Sequence, residues 1–315
     1  MDINLQFWRS EGQSFLRRIY HWMNVLDPVS LLSSNGEIEK ARSLLVGTEQ
    51  PNEKEVQDAW KLSLSSVHSD TGAILPTIFR SPAFLPVAAP LVIGSLLPHK
   101  GVKPAFFWQF LLQSYSAGFN YTNRNATSNK EHKATLKQIL LVVGAVTYAT
   151  CAGVIPQFAA NRYGLRNPSV QVFLRSVLPV PLAALLAAYN VVIVRAEEFE
   201  NGIQVFDSSG KAVGISQKAG SQAVNETAVS RAALMGTTAA LPSLLVFLLQ
   251  RTRLSLRNPL LVAPFRHIST ALALGLMLPV SFSLFPQLGT IRKEKLENEL
   301  QTTTTDEQLF YHRGL

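Results

Sequence analysis

Long apolar stretches without charged side chains alternate with short charged stretches along the 315 residues of this chain. The stretches that lack Asp, Glu, Lys and Arg are 81–98, 104–123, 138–161, 176–194, 232–250 and 267–291. About 20 mainly apolar residues suffice for a helix to cross a bilayer, whereas a helix on a soluble protein carries charges on its outer face. The pattern therefore predicts an all-α, multi-spanning membrane protein. The alternative is a large soluble all-α protein with buried central helices.

The first apolar stretch differs from the others because it contains Pro82, Pro86, Pro90 and Pro98. Proline removes a backbone donor, and an unpaired backbone group in contact with lipid is costly. We therefore expect this stretch to be broken, re-entrant or interfacial. The sequence predicts five transmembrane helices, with six as the alternative.

The distribution of charge divides the chain into three regions. Residues 1–80 form an N-terminal polar helical region, residues 81–291 form the membrane domain, and residues 292–315 form a charged C-terminal tail. The tail is expected to be mobile as far as its aromatic and basic end, Phe310–Arg313, which could dock on the rest of the protein. The longest loop of the membrane domain spans residues 195–231.

A small β-hairpin is predicted inside this longest loop. Residues 203–205 and 213–215 alternate between apolar and other side chains around Asp207-Ser208-Ser209-Gly210. Gly210 can supply the positive φ that a tight turn needs. Because a short hairpin is only marginally stable alone, it is expected to pack on the membrane domain.

Two helices are predicted in the N-terminal region. Ser14–Met23 has apolar residues on one face, so it either lies on a membrane surface or packs on the rest of the protein. Asn52 followed by Glu55 has the spacing of a reciprocal helix cap, which predicts a helix that begins there.

Composition narrows the classes of function. Charged residues make up 16% of the chain and hydrophobic residues 47%, and the net charge is +8. The basic residues are spread over short loops, which favours the lipid bilayer and its anionic headgroups over nucleic acid as the partner. Cys151 is the one cysteine, so neither a disulfide nor a cysteine-based metal cluster is expected within this chain.

Motifs of soluble enzymes are missing from the sequence. It contains no glycine-rich phosphate loop, zinc motif or nucleophile elbow, and the six histidines are scattered. We therefore expect no catalytic residues, no metal site and no cofactor, and we do not expect an enzyme.

His68-Ser69-Asp70-Thr71-Gly72 precedes the first apolar stretch. His68 and Asp70 are candidates for substrate binding or proton coupling. The alternative is a capping turn, in which Asp70 or Thr71 bonds local backbone donors and Gly72 allows the bend.

The second candidate motif, Asn120-Tyr121-Thr122-Asn123-Arg124-Asn125, closes the stretch 104–123. Such polar groups beside a membrane span tend to line a cavity or a partner helix, and a guanidinium can hold a carboxylate by two bonds. The alternative is a polar loop. The candidate substrate-binding residues of this motif are Asn120, Tyr121, Asn123, Arg124 and Asn125.

Together these motifs resemble the sideroflexin family. Its members carry a His-Pro-Asp-Thr-Gly-Glu motif, which His68–Ala73 resembles, and an Asn-Tyr-Thr-Asn-Arg-Asn motif, which stands intact at 120–125. Gly202–Ser216 and Ala271–Gln287 also fit the family. Three segments resemble one particular branch of it: Glu11–Arg18, Gly153–Phe158 and Phe310–Leu315.

The resemblance implies a mitochondrial inner-membrane protein with about five spans. Several members of the family transport serine and related amino acids, whereas the branch in question is associated with respiratory complex I assembly and with iron and iron–sulfur homeostasis. Ser69 and Ala73 depart from the family motif, which makes serine the weakest expectation. Two hypotheses follow: a carrier for a small amino acid or similar metabolite, and a non-transporting factor that binds complex I assembly components.

Overall fold

A computed structural model of the chain describes residues 1–47, 52–97, 99, 101–125, 136–163, 168–251 and 259–315. The fold is a bundle of helices with a small antiparallel sheet at one end, which confirms the predicted helical membrane protein.

The N-terminal region folds into short helices that pack on one end of the bundle. They are α1 (Ile3–Glu11), α2 (Phe15–Val25), α3 (Asn35–Val46) and α4 (Glu53–Ser66). The predicted cap at the start of α4 is present, since Asn52 and Glu55 form a reciprocal capping box. Trp22 of α2 stacks on Trp8 with a centroid distance of 5.1 Å and meets the ring of Phe282 at 5.0 Å. Between the two alternatives for Ser14–Met23, the structure therefore shows a helix packed on the protein.

The helices of the bundle follow in order along the chain. They are α5 (Phe84–Leu96), α6 (Val102–Thr122), α7 (Leu136–Tyr163), α8 (Pro168–Val172), α9 (Pro179–Val194), α10 (Ala196–Asn201), α11 (Gln217–Gln250) and α12 (Val262–Ser283). A single π-helical turn, Phe173–Val177, joins α8 to α9. The proline-rich first stretch forms α5, which has 13 residues and Pro90 in its interior. It is shorter than a span requires, and that the stretch is broken, re-entrant or interfacial stays a prediction.

Four helices among the described residues are long and apolar enough to cross a membrane. They are Leu136–Arg162, Val170–Val194, Gln217–Gln250 and Val262–Ser283. The predicted count of five also included α6, which is not among them although it has 21 residues. The reason is polar content, because α6 carries Gln109, Gln113 and Asn120 among its apolar residues.

The predicted hairpin is present but belongs to a larger sheet. Its strands are β1 (Ile203–Phe206) and β2 (Ala212–Ser216), and Gly210 has a φ of +83° in the turn. Two further strands complete the sheet: β3 (Leu288–Arg292), at the end of the predicted membrane domain, and β4 (Gln308–His312), in the C-terminal tail. Between them lies α13 (Asn298–Thr303). The strand order is β2-β1-β4-β3.

The tail is therefore an ordered part of the fold. The expectation that it is mobile as far as Phe310 was wrong, whereas its aromatic and basic end docks on the protein as expected, with Tyr311 and Arg313 buried. Strand β4 pairs with β1 through Val205 opposite Tyr311, and with β3 along its whole length. Both Leu309 and Tyr311 are fully buried. Burial of these two side chains against the hairpin gives the tail the apolar contacts that its charged sequence does not suggest.

Candidate functional site

The segment around His68 forms a tight turn. The amides of Asp70 and Thr71 both donate to His68 Nδ1 at 3.2 Å, and Gly72 has a φ of +70°. Because Nδ1 accepts two hydrogen bonds, Nε2 carries the proton and donates it to the carbonyl of Arg124 at 2.8 Å. This turn thus connects the N-terminal region to the end of α6.

The second motif is divided between two environments. Asn120 lies within α6 and lines a cavity between the helices. Its amide nitrogen donates to Asn190 Oδ1 on α9 at 2.8 Å. Asn123 turns the other way and donates to the carbonyls of Phe79 and Phe119. Of the motif, therefore, only Asn120 is among the described residues that line the cavity.

Arg124 interacts with its own surroundings rather than with the cavity. Its guanidinium carbon lies 3.7 Å from the centroid of the Tyr121 ring, and Nη1 donates to the carbonyl of Tyr121 at 2.9 Å. Nη2 lies 3.5 Å from Glu197 Oε2. This arrangement makes Arg124 a bridge between the end of α6 and α10.

Asn125 belongs to a buried group that we call the C-terminal polar cluster. Its members are Asn125, Arg195, Glu198, Thr227, His312 and Arg313. Asn125 donates from its side chain to Glu198 Oε2 at 2.8 Å and to the carbonyl of His312 at 3.0 Å. Its own amide oxygen lies 2.9 Å from His312 Nδ1. The cluster joins the last residues of the chain to the ends of α6 and α9.

The centre of this cluster is an arginine that meets a carboxylate edge to edge. Arg195 donates from Nε to Glu198 Oε1 at 2.6 Å and from Nη2 to Glu198 Oε2 at 2.8 Å. Arg195 also bonds Thr227 Oγ1 and the carbonyl of Arg313. Both charged side chains are almost completely buried, so a two-point ion pair with further hydrogen bonds compensates the loss of water.

Burial also keeps two histidines in their neutral form. It lowers the pKa of His312 to about 3, and the nearby Asp70 opposes that shift while His68 and Arg195 add to it. Burial likewise lowers the pKa of His68, against the effect of its hydrogen bond to Arg124. The rings of the two histidines are 6.4 Å apart. Neither ring is therefore charged at neutral pH.

A cavity of about 590 Å³ lies between α5, α6, α7, α9, α11 and α12. Polar side chains of α6 line it at Gln109, Gln113, Ser116 and Asn120. Gln109 Oε1 is buried and has no hydrogen-bond partner among the described residues. Polar groups of this kind in a membrane bundle typically face a cavity rather than lipid.

Arg231 of α11 also lines the cavity, and it was not among the residues predicted from the sequence. Only 4% of its surface is exposed, and its guanidinium carbon lies 4.4 Å from the centroid of the Phe282 ring. In the sequence, Arg231 stands at the start of a charge-free stretch, where it resembles a charge at the end of a span. Because α11 is one helix of 34 residues, the position lies within the bundle instead.

Of the other candidates, the structure places Tyr121, Asn123, Arg124, Asn125, His68 and Asp70 outside the described lining of the cavity. They occupy the region between α6, α10 and the C-terminus. The described residues contain no group of three or more His, Cys, Asp or Glu that could hold a metal ion. Cys151 is exposed on α7.

Comparison with known proteins places this sequence in a family. The family model described as sideroflexins matches residues 2–315. Sideroflexin-4 of Danio rerio is 56% identical over 317 residues and sideroflexin-4 of Mus musculus is 40% identical over 320 residues, with both chains covered completely in each case. Human sideroflexin-5 is 33% identical over 98% of this chain and 91% of its own. No solved structure matches the chain.

Proposed function

This chain belongs to the sideroflexin family, and we propose that it is a carrier, not an enzyme, for a small amino acid or similar metabolite in the mitochondrial inner membrane. The location and the class of solute are what the family resemblance implies. The observation that carries the proposal is the cavity between the helices of the bundle, which has polar side chains in its lining.

The size and lining of the cavity suit a small solute. Its volume of about 590 Å³ falls in the range of small-molecule sites, which is about 300–1,000 Å³. Its polar groups come from helices that are otherwise apolar, where they are costly unless they face water, a ligand or each other. A path for a polar solute accounts for their position.

The cavity supports the proposal of a carrier, but it gives no particular support to serine as the transported solute. The motif at His68–Ala73, in which Ser69 and Ala73 depart from the family pattern, forms a turn whose polar groups bond to each other and to Arg124. Any solute contacts are therefore expected from α6 and α11 and not from this turn.

Flux measurements with a blocked cavity test the proposal. Gly153 lines the cavity, and a Cβ added there would lie 2.6 Å from Gln109 Oε1. Gly153→Leu should therefore displace the Gln109 side chain, narrow the cavity and strongly reduce uptake of labelled small amino acids into proteoliposomes. Gly144→Leu is the matched control on the same helix, because a Cβ added there meets nothing within 4 Å.

Two results would contradict the carrier proposal. One is wild-type protein that moves none of a broad panel of labelled amino acids faster than protein-free liposomes do. The other is equal flux in the Gly153→Leu variant, the Gly144→Leu variant and the wild type. Carbonate extraction of mitochondria tests membrane insertion separately, since a protein with several spans should stay in the membrane pellet.

A second candidate function is a non-transporting factor that binds complex I assembly components, with an indirect role in iron homeostasis. The observation that favours it is an exposed apolar stripe on α2, formed by Leu16, Tyr20 and Met23 at 75%, 63% and 62% exposure. Such a stripe beyond the spanning helices is suited to a partner protein or to the lipid interface.

Complementation of cells that lack the native protein tests this second candidate. Replacement of Leu16, Tyr20 and Met23 by Ser should impair complex I assembly while uptake into proteoliposomes stays normal. Normal assembly in that variant would remove the support that the stripe provides. Stoichiometric iron and sulfide in the purified protein would contradict an indirect role in iron homeostasis.

A further inference from the structure

Arg231 is a buried cation whose hydrogen-bonding groups lack partners. Its Nε and Nη2 are both buried and have no hydrogen-bond partner among the described residues. Three aromatic rings surround the guanidinium, those of Phe282, Phe119 and Phe84, at 4.4, 5.7 and 5.9 Å from its carbon atom. The rings attract a cation weakly, but they accept no strong hydrogen bond from its N–H groups.

The two unpartnered nitrogens lie on the same edge of the guanidinium. Nε–H and Nη2–H point in parallel directions along that edge, and their spacing matches the two oxygens of a carboxylate. Arg195 shows this geometry within the same protein, because its Nε and Nη2 donate to the two oxygens of Glu198. Arg231 therefore has the same edge without a carboxylate from the described part of the chain, and since both nitrogens are buried, the side chain must turn this edge towards the cavity that it lines before a solute can reach it.

The rest of the cavity reinforces the positive charge. Arg175 and Arg266 also line it, and its described lining contains no Asp or Glu. A positively charged cavity with no acidic side chain disfavours a ligand that carries only positive charge. The same field attracts an anion.

We propose that the Nε–Nη2 edge of Arg231 binds the carboxylate of the solute, so that the cavity selects small carboxylates. This inference rests on the proposed function for its solute class, and it makes the carboxylate the obligatory group. An ammonium group is optional. The polar groups that α6 contributes to the cavity are neutral, namely amides such as that of Gln109 and one hydroxyl, so none of them requires a charged partner.

Three probes that differ by one group each test the proposal with purified full-length protein in detergent. L-serine carries a carboxylate and an ammonium, glycerate keeps the carboxylate and replaces the ammonium by a hydroxyl, and ethanolamine lacks the carboxylate. Equilibrium dialysis should detect binding of serine and glycerate but not of ethanolamine.

Arg231→Met and Arg231→Lys identify the residue responsible. Arg231→Met should weaken binding of both carboxylates by about tenfold or more, since hydrogen bonds to a charged group are lost. Arg231→Lys keeps the charge but lacks the two-point edge, so its affinity for the carboxylates should lie between that of wild type and that of Arg231→Met. Without ligand, Arg231→Met should unfold at a higher temperature than wild type, because an unpaired buried charge has been removed. That readout separates loss of binding from loss of folding.

Arg251→Met is the matched control, at the residue that caps the C-terminal end of α11. Arg251 is exposed, lies 4.3 Å over the Phe247 ring and is not part of the described cavity lining. Its replacement should change neither affinity nor the unfolding temperature appreciably.

Several outcomes would overturn the assignment of Arg231. They are undiminished carboxylate binding in Arg231→Met, equal binding of ethanolamine, and wild-type protein that binds neither carboxylate. Failure of the carrier proposal looks different, since it would leave carboxylate binding by Arg231 intact with no flux in proteoliposomes. Normal flux with Arg231→Met, in contrast, would contradict only the role of Arg231.

Discussion

Arg195 and Arg231 are both buried in the helical bundle, yet their surroundings differ. Arg195 has no exposed surface and donates to Glu198, to Thr227 and to the carbonyl of Arg313. Arg231 has 4% of its surface exposed, lines a cavity, and has no hydrogen-bond partner for Nε and Nη2 among the described residues.

The difference separates a structural arginine from a functional one. A buried charge with a complete set of partners holds chain segments together, and here it joins α10, α11 and the C-terminus. A buried charge without partners lowers stability. Stability of the fold therefore explains Arg195 but not Arg231, and the carboxylate that we propose as the ligand of Arg231 supplies the missing explanation.

Removal of the charge on Glu198 should have the largest effect on stability. Glu198→Gln leaves Arg195 as an uncompensated buried charge, so the free energy of unfolding should fall by about 3–5 kcal/mol. Denaturant unfolding in detergent measures this loss. Glu200→Gln is the control on the same helix, because Glu200 pairs with Lys137 on the surface at 2.7 Å. Breaking that exposed pair should change stability by less than about 1 kcal/mol.

If Glu198→Gln were no more harmful than Glu200→Gln, the C-terminal polar cluster would not be a structural element. The contrast between the two arginines would then be lost.

A methyl group at Gly314 should disturb the same cluster. Gly314 has a φ of +74°, and a Cβ there would lie 2.8 Å from Arg195 Nη2 and 3.0 Å from the carbonyl oxygen of Asn123. Gly314→Ala combines an unfavourable backbone conformation with this close contact, so it should destabilise the fold by about 3 kcal/mol.

Gly210→Ala isolates the backbone part of the Gly314 effect. Gly210 has a φ of +83°, but its added Cβ would come no closer than 3.5 Å, to Met1. We expect a loss of about 1 kcal/mol there. Equal thermal unfolding temperatures for the two variants would show that the last residues do not pack against Arg195.

Acidification should weaken the structural cluster through His312. The unfolded chain binds a proton at this residue near pH 6.5, whereas the folded protein does so only near pH 3, because burial lowers the pKa. The stability is therefore fully present above pH 6.5 and declines as the pH falls towards 3. Between pH 7 and pH 5 the loss from this residue should be about 2 kcal/mol.

Unfolding temperatures measured across this pH range test the role of His312. His312→Asn keeps a nitrogen donor near the position of Nδ1, which faces Asn125 Oδ1, but it cannot be protonated. The variant should show a shallower decline than wild type. Identical pH profiles for the two proteins would mean that His312 does not contribute.

The alternation of apolar residues was a sufficient signal for the hairpin but not for the whole sheet. Residues 203–206 and 212–216 are close in sequence, and the turn between them contains Gly210. Strand β4 pairs with β1 across about a hundred residues, as with Tyr311 opposite Val205. No local pattern specifies such a distant partner, since strand preference depends on neighbours that folding brings together.

The candidate site was predictable only in part for a similar reason. The polar content of 120–125 marked the end of α6, and Asn120 does line the cavity. The direction in which each side chain points depends on where α6 ends, at Thr122. Arg124 and Asn125, which follow that point, contact Glu197 and Glu198 of α10 instead. Arg231 was missed because it stands in the sequence where a charge-free stretch begins, which suggested the end of a span. The structure has one continuous helix through this position.

The smallest effect on stability is expected for Arg124→Lys. This variant tests whether Arg124, rather than Arg231, is the arginine that binds the solute. If Arg124 bound the carboxylate of the solute, as its motif suggested, loss of its planar edge would abolish transport. The structure instead gives Arg124 internal contacts, with the Tyr121 ring and with Glu197 Oε2 at 3.5 Å. Lysine keeps the charge near Glu197 and loses the stacking on Tyr121, so stability should fall by less than about 1 kcal/mol.

Flux and carboxylate affinity of Arg124→Lys should therefore match those of wild type, whereas Arg231→Lys in the same assays should lose affinity. Proteoliposome uptake and equilibrium dialysis on both variants provide the comparison. The opposite result, with transport abolished by Arg124→Lys and unaffected by Arg231→Lys, would exchange the roles of the two regions. The end of α6 would then bind the solute, and Arg231 would have only a structural role.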